Sequence, residues 1–72
     1  MADYRVYFLN QSGSIRRRLD LTCRDDWDAC AAGERALLAS DFSGVEVWQR
    51  ARFIERRDRR QLARGGAKRR SA

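Results

Sequence analysis

Asp25, Asp26 and Asp28 form the one dense carboxylate cluster in the chain. Paired carboxylates can act as general acid and base or hold a hard cation. Acidic residues also collect at helix starts, where free N–H groups and the backbone dipole favour negative charge, and helix capping is the expectation here. Cys23 and Cys30 stand seven residues apart, a spacing that fits neither a CxxC redox pair nor a zinc-ligand series. The chain has no His. A zinc site would have almost no ligands to draw on, so no metal and no cofactor is expected. Ser12, Ser14, Ser40 and Ser43 likewise have no imidazole to activate them, and Lys68 falls in a segment too poor in apolar residues to hold a rigid Ser-Lys pair. Cys23, beside Arg24 and just ahead of a predicted helix, is the best-placed thiol for reactivity; the plainer expectation is that both cysteines are small buried hydrophobes. Gly65-Gly66-Ala67-Lys68 lacks the spacing of a phosphate-binding loop. Neither an enzyme nor a small-molecule substrate is expected.

Charge offers a different chemistry. Residues 1–49 hold 6 basic and 8 acidic side chains, whereas residues 50–72 hold 10 basic and 2 acidic, within a net charge of +6. All but Lys68 of the basic groups are Arg, whose planar guanidinium forks suit phosphate and carboxylate. Neutralising phosphates releases counterions and gives salt-sensitive affinity with little sequence preference. The candidates for contacting RNA or DNA are Arg50, Arg52, Arg56, Arg57, Arg59, Arg60, Arg64, Lys68, Arg69 and Arg70. The competing expectation is a solubilising charge run. A membrane surface is a poorer partner, because this segment has almost no apolar face to insert.

Those groups need elements to position them. Tyr4 to Asn10 is β-branched and aromatic with apolar groups at both parities, which predicts a central strand. Asn10-Gln11-Ser12-Gly13 is a turn cluster, and Ile15 to Thr22 alternates as the second arm of a hairpin. Arg17 falls on the apolar parity of that arm and calls for a bulge or a position at the sheet margin. Residues Asp25 to Ser40 predict a helix, with Thr22 and Asp25 at capping-box-like spacing and an apolar stripe of Trp27, Cys30, Ala31, Leu37 and Leu38 facing a sheet. Gly33 inside the helix suggests either close approach to a neighbour or simple tolerance, and Gly44 is placed to leave the helix in a left-handed conformation. Val45 to Gln49 and Arg52 to Glu55 predict two further strands around a turn at Arg50-Ala51.

The expected fold is therefore α+β: a ββαββ domain over residues 1–55, an antiparallel-rich sheet with one helix on one face, followed by an Arg-rich flexible tail over residues 56–72, with a helical extension through Leu62 as the alternative and disorder expected beyond Gly65-Gly66. The segments Tyr-Arg-Val-Tyr-Phe-Leu-Asn-Gln-Ser-Gly-Ser-Ile, Asp-Asp ahead of an Ala-rich helix, and Val-Glu-Val-Trp-Gln-Arg-Ala-Arg-Phe-Ile resemble short hypothetical bacterial proteins with a ββαββ pattern. That resemblance spans roughly residues 4 to 56, implies the fold, and implies no activity or ligand.

Size bears on partners. Domains of about 60 residues bury only about 60% of their unfolded surface, and small cores often need a staple or a second copy. Tyr7, Leu9 and Trp48 share the parity turned away from the helix and are the candidates for a homodimer or protein-interaction surface. Trp48 with Arg50 and Arg52 nearby equally resembles a base-stacking platform. The start MADYRVYFLN has no basic region followed by a long apolar run, and no run approaches the ~20 apolar residues of a membrane span; a cytoplasmic location is expected.

Overall fold

The computed structural model describes residues 1–62. Four antiparallel strands and one helix follow in the order β1 (Ala2–Leu9), β2 (Ile15–Cys23), α1 (Asp26–Leu38), β3 (Gly44–Gln49) and β4 (Arg52–Asp58). They form one sheet of order β2-β1-β3-β4. The fold is the expected α+β ββαββ, and β1 is central, as its two-sided apolar character predicts.

The first hairpin is fixed by Asn10. Its carboxamide oxygen accepts the backbone N–H groups of Ser12 and Ser14 at 3.1 and 3.0 Å, and Gly13 supplies the φ of +86° that closes the turn. A bulge where Phe8 and Leu9 meet β2, together with the position of β2 at the sheet edge, leaves Arg17 exposed. Three consecutive arginines, Arg16 to Arg18, line that edge and discourage it from pairing with another strand. In the second hairpin Arg50 has φ of +55°, a left-handed conformation that costs a side-chain-bearing residue about 1 kcal/mol. Arg50→Gly is expected to raise stability by about 0.5 kcal/mol, read from urea midpoints, after allowing for the extra freedom glycine gives the unfolded chain.

The core lies between the sheet and α1. Tyr4, Val6 and Phe8 from β1 and Val45 and Val47 from β3 meet Ala29 and Leu37 from the helix. The helix is turned relative to the sequence expectation: Ala29, Gly33 and Leu37 are its buried residues, while Trp27 is 82% exposed and Leu38 is exposed too. The reason is closeness. A Cβ built on Gly33 would lie 3.1 Å from Val47 Cγ2, so small residues are needed on the packing stripe and the indole is turned outward.

Two ends differ as well. Asp25, not Thr22, is the N-cap: its side chain accepts the Asp28 N–H at 2.9 Å, while Thr22 belongs to β2. The helix stops at Leu38 with Ala39 as C-cap, and Gly44 is the first residue of β3 rather than a left-handed helix terminator. Its lack of a side chain serves strand approach instead, since a Cβ there would sit 2.7 Å from Asp58 Oδ1 and 3.0 Å from the Arg57 carbonyl oxygen.

Beyond Glu55, β4 continues to Asp58 and residues 59–62 form a helical turn. Ordered structure thus runs past the expected boundary between residues 55 and 56, because the backbone there still finds partners: Arg57 pairs with Val45 and Asp58 with Gly44. Of the tail expected over residues 56–72, the part from residue 63 onward lies outside the described residues. Among the described residues no helix is long and apolar enough to cross a membrane.

Candidate functional site

Three of the ten basic candidates bond across to other elements and hold the fold: Arg52 at the surface, Arg57 and Arg59 partly buried. Arg52 forms a two-pronged bond to Asp26, at 3.0 and 2.9 Å, and ties the second hairpin to the start of the helix. Arg57 lies on the helix side of β4, donating to Glu34 at 3.1 Å and pairing with Glu55. Arg59 reaches back to the end of α1 and donates to the carbonyl oxygens of Leu37 at 2.8 Å, Phe42 at 3.0 Å and Ser40. These guanidiniums are spent on protein oxygens rather than offered to a phosphate.

The others stand apart. Arg56 lies on the opposite side of β4, 3.3 Å from Asp58, Arg50 caps the second hairpin, and Arg60 is exposed on the helical turn. A shallow hollow at this end of the sheet is lined by Arg56, Arg59 and Arg60, with Asp58 among them, together with Gln11 and Gly44. Arg64, Lys68, Arg69 and Arg70 lie outside the described residues.

The carboxylate cluster is divided among separate structural jobs. Asp25 caps the helix, Asp28 accepts from Arg24 at 2.8 Å, and Asp26 accepts from Arg52 and from the Tyr4 hydroxyl, the latter at 2.8 Å. Both cysteines are free, and each packs against the core as a partly buried hydrophobe. Burial, then the charge of Glu55, pushes the Cys30 thiol up, away from the thiolate that reactivity requires.

Tyr4 and Asp26 make the fold sensitive at both ends of the pH scale. The Arg52 bond first, and the Tyr4 bond second, hold the Asp26 carboxyl below the usual carboxylate range. With the folded value depressed, its stabilisation is complete above the unfolded Asp value of about 3.9 and is lost as pH falls through the folded one. Burial and the bond to Asp26 push the Tyr4 hydroxyl up to about 12. A raised value works the other way: the stabilisation is complete below the unfolded Tyr value of about 10 and is lost as pH rises through the folded one. Thermal melts across pH should therefore fall off in acid and again in strong alkali. Asp26→Asn should flatten the acid limb and Tyr4→Phe the alkaline limb.

The sheet face away from the helix carries an aromatic row. Tyr7 and Trp48 meet edge-on with ring centroids 6.5 Å apart, and Trp48 meets Phe53 edge-on at 5.3 Å. The indole N–H donates to Glu46 at 3.1 Å. Leu9 corrects the sequence expectation: it shares this parity but is 2% exposed and presents almost nothing to a partner. Phe53, 49% exposed, takes that place. Its face was hidden in the sequence by a register shift in β4, where Val47 pairs with Glu55 but Trp48 pairs with Phe53. Arg5 and Arg18, which flank the row from β1 and β2, were missed because their charges are spread through a nearly neutral segment. No protein-family model, curated protein or solved structure matches this chain.

Proposed function

We propose that this chain is a non-enzymatic binding protein that holds nucleic acid, with little sequence preference, through the basic residues at its C-terminal end. The observation that carries this reading is how charge is apportioned between fold and extension. Residues 1–62 contain 12 basic and 10 acidic side chains, and six of those arginines, Arg5, Arg24, Arg52, Arg56, Arg57 and Arg59, already bond to protein oxygens. Residues 63–72 contain Arg64, Lys68, Arg69 and Arg70 and no acid at all. Most of the net charge of +6 thus resides in ten residues without internal compensation. Arg60, exposed beside the hollow at the end of the sheet, adds a further basic group on the fold. Backbone phosphates satisfy such groups without base-specific contacts.

The test uses the full chain with Arg64, Lys68, Arg69 and Arg70 all replaced by Gln. In fluorescence anisotropy at low salt, wild type is expected to bind unrelated single-stranded oligonucleotides of equal length with affinities within about threefold of one another. The four-Gln protein should bind each at least about tenfold more weakly while melting at the wild-type temperature. Equal binding by the two proteins would refute the proposal.

A further inference from the structure

The aromatic face has a charge pattern that selects its occupant. The strand register places side chains on it in two rows running across the sheet. Asp20, Arg5, Trp48 and Phe53 form one row; Arg18, Tyr7, Glu46 and Arg56 form the next. Asp20 and Glu46 nearly balance the three arginines, and Arg5 already lies 3.1 Å from Asp20. A polyanion laid along this surface would meet both carboxylates, so the face is a poor phosphate track despite its rings.

A second copy of the chain fits it far better. Consider a two-fold axis in the plane of the sheet, between the rows and perpendicular to the strands. It lays each row over the other, so that Asp20 of one copy faces Arg18 of the second. Arg5 then faces the ring of Tyr7, Arg56 faces the ring of Phe53, and Glu46 faces Trp48, one strand over from Arg5. No like charges are superposed, and two of these contacts set a guanidinium on an aromatic face. An axis parallel to the strands would instead set Arg18 against Arg56.

The geometry points to a homodimer formed face to face through Tyr7, Trp48 and Phe53, with antiparallel β1 strands and the Asp20–Arg18 pair repeated on both sides of the axis. Such an isologous contact doubles every favourable pair. Four strands at ~4.8 Å spacing make a face about 19 Å wide, a small contact surface, and dissociation in the micromolar range is expected. The dimer is independent of the C-terminal charges and persists in the four-Gln protein, which separates its failure from failure of nucleic-acid binding.

Sedimentation equilibrium of the full chain should give twice the monomer mass at concentrations toward about 1 mM. Asp20→Arg and Arg18→Asp each place like charges together across the axis and should raise the dissociation constant about tenfold. The double exchange restores opposite charges and should return the constant to near wild type. Both side chains are exposed, so the fold survives these changes, and circular dichroism confirms it. A wild-type monomer throughout the range would overturn the inference, as would a dimer indifferent to both single changes. So would a monomer whose Tyr7 and Trp48 are protected from solvent only by added single-stranded oligonucleotide, which would reassign the face to nucleic acid.

Discussion

Arg59→Ala is expected to destabilise the fold by about 3 kcal/mol, because hydrogen bonds to a charged group contribute about 1.5–3 kcal/mol and this guanidinium serves several acceptors. The last carbonyl groups of a helix have no intrahelical donor. In this chain Arg59 supplies one from outside, donating to the Leu37, Ser40 and Phe42 oxygens, while its own backbone N–H bonds the Ser43 oxygen at 2.8 Å. The side chain thereby joins the end of β4, the end of α1 and the connection into β3. Its charge also lies at the negative end of the helix dipole. For a domain of this size the loss corresponds to a fall of between about 12 and 24 °C in melting temperature. Arg59→Lys should recover only part, since an ammonium keeps the charge but not the planar fork. Arg60→Ala, one residue on, is expected to change stability by less than about 0.5 kcal/mol. Neighbouring arginines thus do opposite work, one structural and one facing solvent.

The second large effect is at Gly33. Gly33→Val should destabilise by about 3 kcal/mol, at the upper end of overpacking costs. The added Cβ alone would stand 3.1 Å from Val47 Cγ2 and within 4 Å of both Val6 methyl groups, and its own methyls would reach further into the same space. Val47 and Val6 are fully buried in central strands and have little room to yield. Trp27→Ala provides the control. Although tryptophan is the largest side chain on the helix, its exposure predicts a change of under about 0.5 kcal/mol. Urea midpoints for the two variants settle which face of α1 packs on the sheet, and a large loss at Trp27 with tolerance at Gly33 would reverse the assignment.

That helix shows where legibility in the sequence ended. Element order and the central place of β1 followed from local signals: two-sided apolar character in Tyr4 to Leu9, the Asn10 turn and the acidic helix start. The rotation of α1 did not, because hydrophobic periodicity weights Trp27 and Leu38 heavily and Ala29 and Gly33 hardly at all, whereas close packing against Val47 demands the small residues. The end of β4 was hidden for a related reason. Arg56, Arg57, Asp58 and Arg59 read as a solvated charge run, yet Arg57 satisfies Glu34 and Glu55 above the sheet and Arg59 satisfies the helix end. Charged residues on the covered side of an edge strand carry no apolar alternation to find. The same blindness affected the candidate site. Ten basic residues looked equivalent in the sequence, and only their partners in space separate Arg52, Arg57 and Arg59, which tie one element to another, from Arg56, paired only within its own strand with Asp58, and Arg60, which is exposed.

The central claim is that the basic residues beyond Leu62 bind phosphates while Arg52, Arg57 and Arg59 hold the fold together, and the salt dependence of binding tests it most directly. Association constants for a single-stranded oligonucleotide, measured over a series of salt concentrations, give a slope proportional to the number of phosphates neutralised, about −0.7 per contact. Replacing Arg64, Lys68, Arg69 and Arg70 by Gln in the full chain should reduce the magnitude of that slope by about 3, four contacts at that value, with no change in melting temperature. An unchanged slope in the four-Gln protein would contradict the account.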